Sequence, residues 1–363
     1  MPPAADRSLP PTPARPGRRR LAAAAGLIVV AVLGAGQASG AAPPLGRPAV
    51  RQAATAPTVW DQSDPAVLVA GGKTYLFGSS NNMRMPVREL TTFKGTLEDS
   101  SAAWASSPRD ALTRLPAWVN PADAQIWAPS VAKVGTRYVA YFAAHRRGAT
   151  DRGNDQCIGR AIAAAPLGPY APESAPIYCG LAPERGSNPW GRGALDPEVV
   201  RASGGALYLL VALSRTRDNI GAVRLTADGK VVGGVNAKPS TLASQRFGWH
   251  DGVDDSRLGP TFLENPSMVY EPASKTYLLF YSAGDWRTSR YLTGFARCSS
   301  PVGPCTLDGR GPFLKAGANR SGVGALTAFR DPAGVLRVAY ASWRVGQEGR
   351  STRHTTLARL VVT

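Results

Sequence analysis

The chain has few of the side chains from which metal-dependent or nucleophilic enzymes build their active sites. Its 363 residues include 4 cysteines and 3 histidines. The cysteines form no Cys-x-x-Cys pair, and His145, His250 and His354 lack metal-ligand spacing, so no metal site is predicted. A Gly-x-Ser-x-Gly element is also missing, which argues against a serine hydrolase with a nucleophile elbow.

A hydrophobic run long enough to span a membrane is missing as well. The apolar run at 21–36 has 16 residues, whereas a membrane-spanning helix needs ~20. Arginines at 18–20 precede it and small residues follow at 38–41. This order predicts a secretory signal over residues 1–41, with a retained anchor as the alternative. The arginine pair also permits twin-arginine export. We therefore expect a secreted protein with no stable membrane insertion after signal removal.

Acidic residues are scarce relative to basic ones. The 42 Lys and Arg residues outnumber 25 Asp and Glu residues, which gives a formal net charge of +17. Residues 1–41 contribute five arginines and one aspartate, so the charge without them is +13. A basic field favours anionic partners. However, the arginines are scattered and no nucleic-acid motif accompanies them. A solvated basic surface is the preferred interpretation, and no nucleic-acid partner is expected.

The remaining composition suits a large all-β domain. Hydrophobic residues make up 44% of the chain, enough for an extensive core, and 39 glycines and 31 prolines suit many tight turns. Residues 42–56 are rich in Ala and Pro and predict a flexible linker. Residues 57–363 are then expected to form one domain. Its oligomeric state has no sequence signal, so a monomer is the default.

Five segments of this domain repeat one pattern, a turn-flanked start followed by a glycine-containing hairpin of alternating apolar residues. They begin at Asp64, Trp127, Asp196, Glu264 and Gly322, in steps of 63, 69, 68 and 58 residues. Strand units at a near-constant period predict a five-bladed β-propeller with four-stranded blades around a central funnel. A second repeat, at Ile158-Gly159 and Thr293-Gly294, follows two of these hairpins at the same offset and predicts a third strand.

Three of the five segments place a carboxylate at the start of the predicted innermost strand. Asp64, Asp196 and Glu264 are each followed by proline, directly or after one residue. Proline is expected to hold the preceding residue extended and to fix its side chain. An ordinary turn would explain one such pair, but not three at matching blade positions. Because a propeller gathers these strand starts at one funnel, we expect the three carboxylates to meet and perform acid–base chemistry on a glycosidic bond.

The four cysteines predict two disulfides in an exported chain. Their spacing favours local pairs, Cys157 with Cys179 and Cys298 with Cys305.

Several motifs resemble glycoside hydrolase family 43, namely SDPAVLV, IWAPSVAKVGTRYVAYFAA, ALDPEVV, LENPSMVY and TGFARCSSPVGPC. The resemblance runs from about residue 60 to the end of the chain. It implies an inverting glycosidase in which Asp64 is the general base, Glu264 the general acid and Asp196 the residue that orients the acid and keeps its pKa raised. Arabinose- or xylose-containing polysaccharides or oligosaccharides of plant or cell-wall type are the implied substrates.

The chain departs from the family pattern at two positions. Ser130 stands where an acidic residue is common, and Ala325 stands where many arabinan-cleaving members have a histidine. That histidine helps hold a central ion or water in those relatives. The departure leaves a structural calcium without support, and no cofactor is expected to be required.

Loop aromatics beside a polar funnel suit the apolar faces of sugars. Trp127, Trp249, His250 and Trp286 are the predicted substrate-binding residues, with filling of gaps between blades as the alternative for each tryptophan. Glu198 is expected to lie deeper on the same face as Asp196. Two other functions remain open, a non-catalytic carbohydrate-binding propeller and a surface adhesion module.

Overall fold

Short antiparallel strands are the main secondary structure of the described residues in the computed structural model. The structure describes residues 46–51, 58–59, 61–94, 101–104, 107–148, 155–181, 193–213, 219–251, 263–350 and 353–362. Within these ranges, Gly248–Asp251 forms a 3₁₀ turn. A search of the same ranges finds no helix with the length and apolar character to cross a membrane.

The described strands form five antiparallel sheets. The first two strands, β1 (Ala49–Arg51) and β2 (Thr58–Val59), belong to the fifth sheet. Blade 1 contains β3 (Ala66–Ala70), β4 (Lys73–Phe77), β5 (Pro86–Lys94), β6 (Ser101–Trp104) and β7 (Arg109–Asp110). Blade 2 contains β8 (Trp127–Val134), β9 (Arg137–His145), β10 (Gln156–Ala163) and β11 (Ala171–Pro172).

The next two blades have four strands each, in sequence order. Blade 3 contains β12 (Ala194–Arg201), β13 (Leu207–Leu213), β14 (Asn219–Arg224) and β15 (Ser240–Ser244). Blade 4 contains β16 (Leu263–Glu271), β17 (Thr276–Ala283), β18 (Leu292–Cys298) and β19 (Cys305–Leu307). Blade 5 contains β20 (Ser321–Arg330), β21 (Leu336–Trp343) and β22 (His354–Val361).

The innermost strands β3, β8, β12, β16 and β20 each contact the next in this order, and β20 contacts β3. The sheets therefore close into a ring. This arrangement confirms the predicted five-bladed β-propeller.

The core lies between adjacent blades, with one hydrophobic cluster at each of the five junctions. Side chains alternate across a strand, so a blade buries both of its faces only if both residue sets are apolar. In β9, Phe142 packs toward blade 1 and Tyr141 toward blade 3. In β17, Tyr281 packs toward blade 3 and Phe280 toward blade 5. This two-sided burial explains why the second strand of each hairpin is nearly all apolar.

The third strands carry a glycine where the second strand presents an aromatic ring. Gly159 pairs with Phe142, and Gly294 pairs with Tyr281. A Cβ atom at either glycine would lie 2.4 Å from a ring carbon of its partner. Steric crowding therefore requires glycine at these positions, which accounts for the repeated Ile-Gly and Thr-Gly pairs.

Part of the segment predicted as a linker is a strand. Residues 42–45 and 52–56 of this segment lie outside the described ranges, but β1 pairs with β22 in the register Ala49↔Val361 to Arg51↔Arg359. β2 pairs with the same strand further along. Backbone pairing and the partly buried Val50 outweigh the linker-like composition. Strands from both ends of the chain thus share the fifth sheet.

Both predicted disulfides are present. Cys157 is bonded to Cys179 and Cys298 to Cys305. The second bond joins directly paired residues of β18 and β19.

Candidate active site

Each innermost strand is interrupted, or preceded within two residues, by one non-glycine residue with a left-handed backbone. The φ angles are 47° at Asp64, 42° at Ala128, 53° at Asp196, 45° at Asn265 and 49° at Ala325. Pairing with the second strand shifts register at this point in blades 2 to 5. Proline follows in blades 1 to 4, and a bulge suits proline because it cannot donate to the strand ladder. All five residues line a small axial chamber of about 20 Å³.

This backbone corrects the expected extended conformation of the residue before proline. Asp64 and Asp196 are left-handed instead, a conformation that Asp and Asn tolerate because their short polar side chains bond locally. It also corrects the expected match among the three carboxylates. Asn265 is the counterpart of Asp64 and Asp196, and Glu264 lies one position earlier.

The three predicted carboxylates nevertheless line one cavity. It has a volume of about 400 Å³ and opens above the axial chamber, with which it shares Asp64, Asp196 and Asn265. Its lining consists of Ser63, Asp64, Ser79, Ser80, Gln125, Trp127, Leu195, Asp196, Glu264, Asn265, Trp286, Tyr291 and Arg353. A volume of this size is in the range of small-ligand sites. Side chains from different blades, far apart in sequence, are thus brought together.

Asp64 is held by a serine of its own blade. The Ser79 hydroxyl donates to Asp64 Oδ2 at 2.5 Å and accepts the backbone N–H of Ala128 at 2.8 Å. Because Ala128 belongs to blade 2, this pair of bonds ties the carboxylate to the junction between two blades. The Asp64 side chain is therefore fixed relative to the cavity floor.

Asp196 and Glu264 are linked through Asn265, the residue that follows Glu264 in β16. The Asn265 N–H donates to Asp196 Oδ2 at 2.9 Å. The Tyr291 hydroxyl lies 2.8 Å from Glu264 Oε1 and 2.6 Å from Asn265 Oδ1. Asp196 of blade 3 thus fixes the backbone that carries Glu264 in blade 4.

Burial shifts the protonation of both groups toward the neutral acid. It raises the pKa of Asp196 well above its usual value, and the charges of Glu264 and Asp64 act in the same direction. Burial also raises the pKa of Glu264 to about 7, with a further increase from the charge of Asp64. A hydrogen bond donated by Tyr291 and the charge of Arg353 would lower the pKa of Glu264. The cavity therefore contains carboxyl groups able to donate a proton near neutral pH.

Glu198 lies deeper on the axis, as expected for a residue two positions after Asp196. It lines both the axial chamber and a cavity of about 220 Å³ beneath it. The Ser130 hydroxyl donates to Glu198 Oε2 at 2.9 Å, and the Ser267 hydroxyl lies 3.5 Å from Oε1. The serine at the position where an acid was expected thus binds an acid from the next blade.

Two of the four predicted substrate-binding residues, Trp127 and Trp286, line the cavity. The indole N–H of Trp127 donates to Gln125 Oε1 at 2.8 Å, and the edge of His145 packs against its ring. Trp286 is 46% exposed and stacks on Trp343. Both tryptophans present apolar surface beside the carboxylates, which is suitable for a sugar ring.

The other two residues, Trp249 and His250, do not line this cavity, so the expected substrate contact is corrected. His250 is 0% exposed, its Nε2 lies 3.0 Å from the Tyr281 hydroxyl, and its ring packs against Phe247. Trp249 packs against the cluster between blades 3 and 4. His250 is buried and Trp249 is partly buried against the core, and this packing outweighs their loop-like sequence context.

Sequence reasoning did not find Tyr291 and Arg353, which both line the cavity. The Arg353 guanidinium lies 4.9 Å from the centre of the Tyr291 ring and donates to the carbonyls of Gly322 and Ala341. Neither residue lies in the repeated segments. Asn265, by contrast, could have been found, since it precedes proline as Asp64 and Asp196 do.

The described residues contain no group of three or more His, Cys, Asp or Glu side chains suited to a metal ion. Ala325, which stands in place of a histidine, lines the axial chamber. Of the acidic residues at 251–255, no side chain lies in the described part of the chain.

Comparison with solved structures finds the same fold in enzymes of low sequence identity. A thermostable family-43 glycoside hydrolase has a TM-score of 0.67 and 18% identity, covering 86% of this chain and 96% of that chain. An alpha-L-arabinofuranosidase from Lactobacillus brevis has a TM-score of 0.64 and 17% identity, covering 83% and 91%. An endo-arabinase from Bacteroides thetaiotaomicron VPI-5482 has a TM-score of 0.58 and 18% identity, covering 87% and 98%.

Sequence comparison places the repeats in a defined family. The chain has no match among curated protein sequences. The family model described as glycosyl hydrolases family 43 matches residues 55–363, which include the five blades apart from β1. The protein therefore belongs to glycosyl hydrolase family 43.

Proposed function

We propose that this hydrolase is a secreted inverting enzyme that cleaves arabinofuranosyl or xylosyl linkages in polysaccharides or oligosaccharides. The observation that carries the proposal is the convergence of Asp64, Asp196 and Glu264 from three blades on one cavity, with two of the carboxyls favoured as neutral acids. Structures of the same fold include an arabinofuranosidase and an endo-arabinase, which supports this class of substrate.

In the proposed reaction, a water molecule attacks the anomeric carbon while the glycosidic bond breaks. Asp64 takes a proton from this water, and Glu264 gives its proton to the leaving oxygen. An inverting pair is expected to be roughly 6.5–9.5 Å apart, so that water fits between base and sugar. Asp196 acts on Glu264 by holding the neighbouring N–H of Asn265. Trp127 and Trp286 supply apolar surface for the sugar.

The proposed location follows from the disulfides and the N-terminal sequence. Two disulfides suit an oxidising compartment. Residues 1–41 are the proposed export signal, and residues 57–363 with the added strand β1 form the catalytic domain.

The first test is hydrolysis of arabinan, arabinoxylan, xylan and galactan, with the anomer formed first identified by ¹H NMR. Release of sugar with inverted configuration is the expected result. Sugar binding without hydrolysis by the wild type would favour a non-catalytic carbohydrate-binding propeller. Retained configuration would rule out the inverting mechanism.

Variants separate the two catalytic roles. On natural linkages, Glu264→Ala should lower the rate of hydrolysis by about 10²-fold or more, the usual scale for general acid catalysis. It should lose far less on an activated aryl glycoside, whose leaving group needs no proton. Asp64→Asn should hydrolyse both kinds of substrate more slowly, because each reaction needs an activated water. Glu89→Gln, whose carboxylate pairs with Lys73 outside the cavity lining, is the control. Equal rates for Glu264→Ala and wild type would reject the assignment of the acid.

A further inference from the structure

The hydroxyl of Tyr291 lies between two oxygen atoms of the strand β16. It is 2.8 Å from Glu264 Oε1 and 2.6 Å from Asn265 Oδ1. The phenol has a single proton, whereas an ionised carboxylate and an amide carbonyl are both acceptors. With Asn265 Oδ1 facing the phenol, both contacts can be hydrogen bonds only if Glu264 itself carries a proton and donates it. In that state Tyr291 accepts from Glu264 and donates to Asn265.

The Tyr291 ring is held in place, so its hydroxyl has little freedom to move away. The residue is 1% exposed. A Cβ atom on Gly324 would lie 2.2 Å from the ring, so the missing side chain there makes room for it. The Arg353 guanidinium covers the ring at 4.9 Å from its centre. Ser282 also hydrogen-bonds the phenol. The position of the phenol oxygen is thus fixed by packing.

Asn265 is likewise fixed, through its backbone rather than its side chain. Its φ of 45° matches the left-handed residue of each other blade, and its N–H is bound by Asp196. The equivalent residue is Asp in blades 1 and 3 and Ala in blades 2 and 5. The backbone therefore does not require asparagine at this position, and the carbonyl it offers to Tyr291 is a separate feature.

We propose that Tyr291 and Asn265 are a positioning pair that holds the proton on Glu264. Asn265 Oδ1 takes the phenol proton, which turns an acceptor site of the Tyr291 oxygen toward Glu264. Ionisation of Glu264 would draw the phenol proton to the carboxylate, since charge-assisted hydrogen bonds are the stronger ones, and would leave Asn265 Oδ1 without its donor. The inference rests on the proposed role of Glu264 as general acid.

Other charged groups face Glu264 and remain unchanged in the test. Asp64 and Asp285 disfavour its ionisation, and Arg353 favours it. Asp196 also interacts with it electrostatically. Substitutions at Asn265 and Tyr291 leave all four in place, so a change in the titration of Glu264 reports on the hydrogen-bonding pair.

The experiment compares the pH dependence of kcat/KM for wild type, Asn265→Ala and Tyr291→Phe. Asn265→Ala introduces alanine, which is the residue at the equivalent backbone position in blades 2 and 5. We expect Asn265→Ala to move the alkaline limb down by about 0.5–1 pH unit when Tyr291 is present, the equivalent of roughly one hydrogen bond. In the Tyr291→Phe background, Asn265→Ala should leave the limb where Tyr291→Phe alone places it, because the phenol that links the two side chains is gone. Tyr281→Phe, which removes another buried hydroxyl that bonds His250, should leave the limb unchanged.

Opposite outcomes would overturn the inference. If Tyr291 donated to an ionised Glu264 and the Asn265 amide were turned round to donate to the phenol, Asn265→Ala would raise the limb. A merely structural role would lower the melting temperature without moving the limb. A second readout does not need activity, namely the infrared C=O band of protonated Glu264, obtained as the difference between each protein and its Glu264→Gln counterpart across pH. A wild type without hydrolysis would count against the proposed function, whereas the infrared titration would still test the pair.

Discussion

At the scale of single residues, the central cavity and the axis beneath it contain several carboxyl groups whose pKa is raised by burial. Glu198 is the one with no part in the proposed reaction. Burial raises the pKa of Glu198 to about 7, although the hydroxyls of Ser130 and Ser267 act against the shift. A group with such a shift binds a proton more tightly in the folded state than in the unfolded state. It therefore links folding stability to pH.

The sign of this linkage gives a prediction. Below the unfolded pKa of about 4.3 Glu198 is neutral in both states, and its contribution to stability is fully present. That contribution is lost as pH rises through the folded value of about 7. Glu198→Gln should thus make the fall in unfolding free energy between these pH values shallower, by up to about 1.4 kcal/mol per pH unit.

Urea denaturation at several pH values measures this slope. Glu271→Gln, which removes the carboxylate that pairs with Arg330 at the end of β16, is the matched control and should retain the wild-type slope. Equal slopes for Glu198→Gln and wild type would contradict the prediction.

At the scale of strands, the bulges leave backbone groups that the sheet ladder cannot satisfy, and side chains of the neighbouring blade bind them. Ser130 Oγ accepts the Val199 N–H at 3.0 Å, between blades 2 and 3. Ser267 Oγ accepts the Ala328 N–H at 2.9 Å, between blades 4 and 5. Since Glu198 contacts both serines, one hydrogen-bonded chain spans four blades at the axis.

Removal of one link in this chain should destabilise the ring. Ser130→Ala removes the hydrogen-bond partner of the Val199 N–H and of Glu198 Oε2, two groups near the axis. We expect a decrease of about 1–3 kcal/mol in unfolding free energy, the range for an unsatisfied buried group. The Ser274 hydroxyl contacts only its own turn, so Ser274→Ala should lower the unfolding free energy by less. Similar losses in the two variants would argue against a special role for contacts between blades.

At the scale of the whole molecule, the ring is closed by strands from distant parts of the chain. β22 forms an outer position of blade 5 and pairs with both β1 and β2. The segment before β1 adds polar contacts, since Arg47 forms an ion pair with Asp308 at 3.0 Å and donates to the Gly311 carbonyl. On the inner side, the Thr327 hydroxyl of blade 5 donates to the Pro65 carbonyl of blade 1.

A pair of shortened chains tests the contribution of this segment. Chains that begin at residue 46 and at residue 52 differ by β1, the Arg47 contacts and the hydrogen bond from Arg297 to the Gly46 carbonyl. The shorter chain should melt a few degrees lower, since a loss of 1 kcal/mol moves the midpoint by about 2–4 °C in a domain of 150–250 residues, with less in a longer one. The product anomer should be the same for both, because residues 46–51 do not line the cavity. Identical melting temperatures would show that β1 is not part of the stabilising closure.

Much of this organisation could be predicted from the sequence because its causes are local or periodic. Two-sided burial forces the apolar hairpins, which recur at the blade period, and short separations bring Cys157 to Cys179 and Cys298 to Cys305. The residues before proline marked the strand starts at Asp64 and Asp196. The local pattern did not predict the left-handed bulge. Because of this bulge, Asn265 rather than Glu264 is the counterpart of Asp64 and Asp196.

The tertiary structure alone decided which side chains surround these positions. Tyr291 and Arg353 reach Glu264 from outside the repeats, so no periodicity marks them. His250 is buried and Trp249 packs against the cluster between blades 3 and 4, which a loop sequence does not reveal. The physical reason is the same in each case. Contacts between blades depend on how the ring closes, and that closure depends on the packing of all five sheets together.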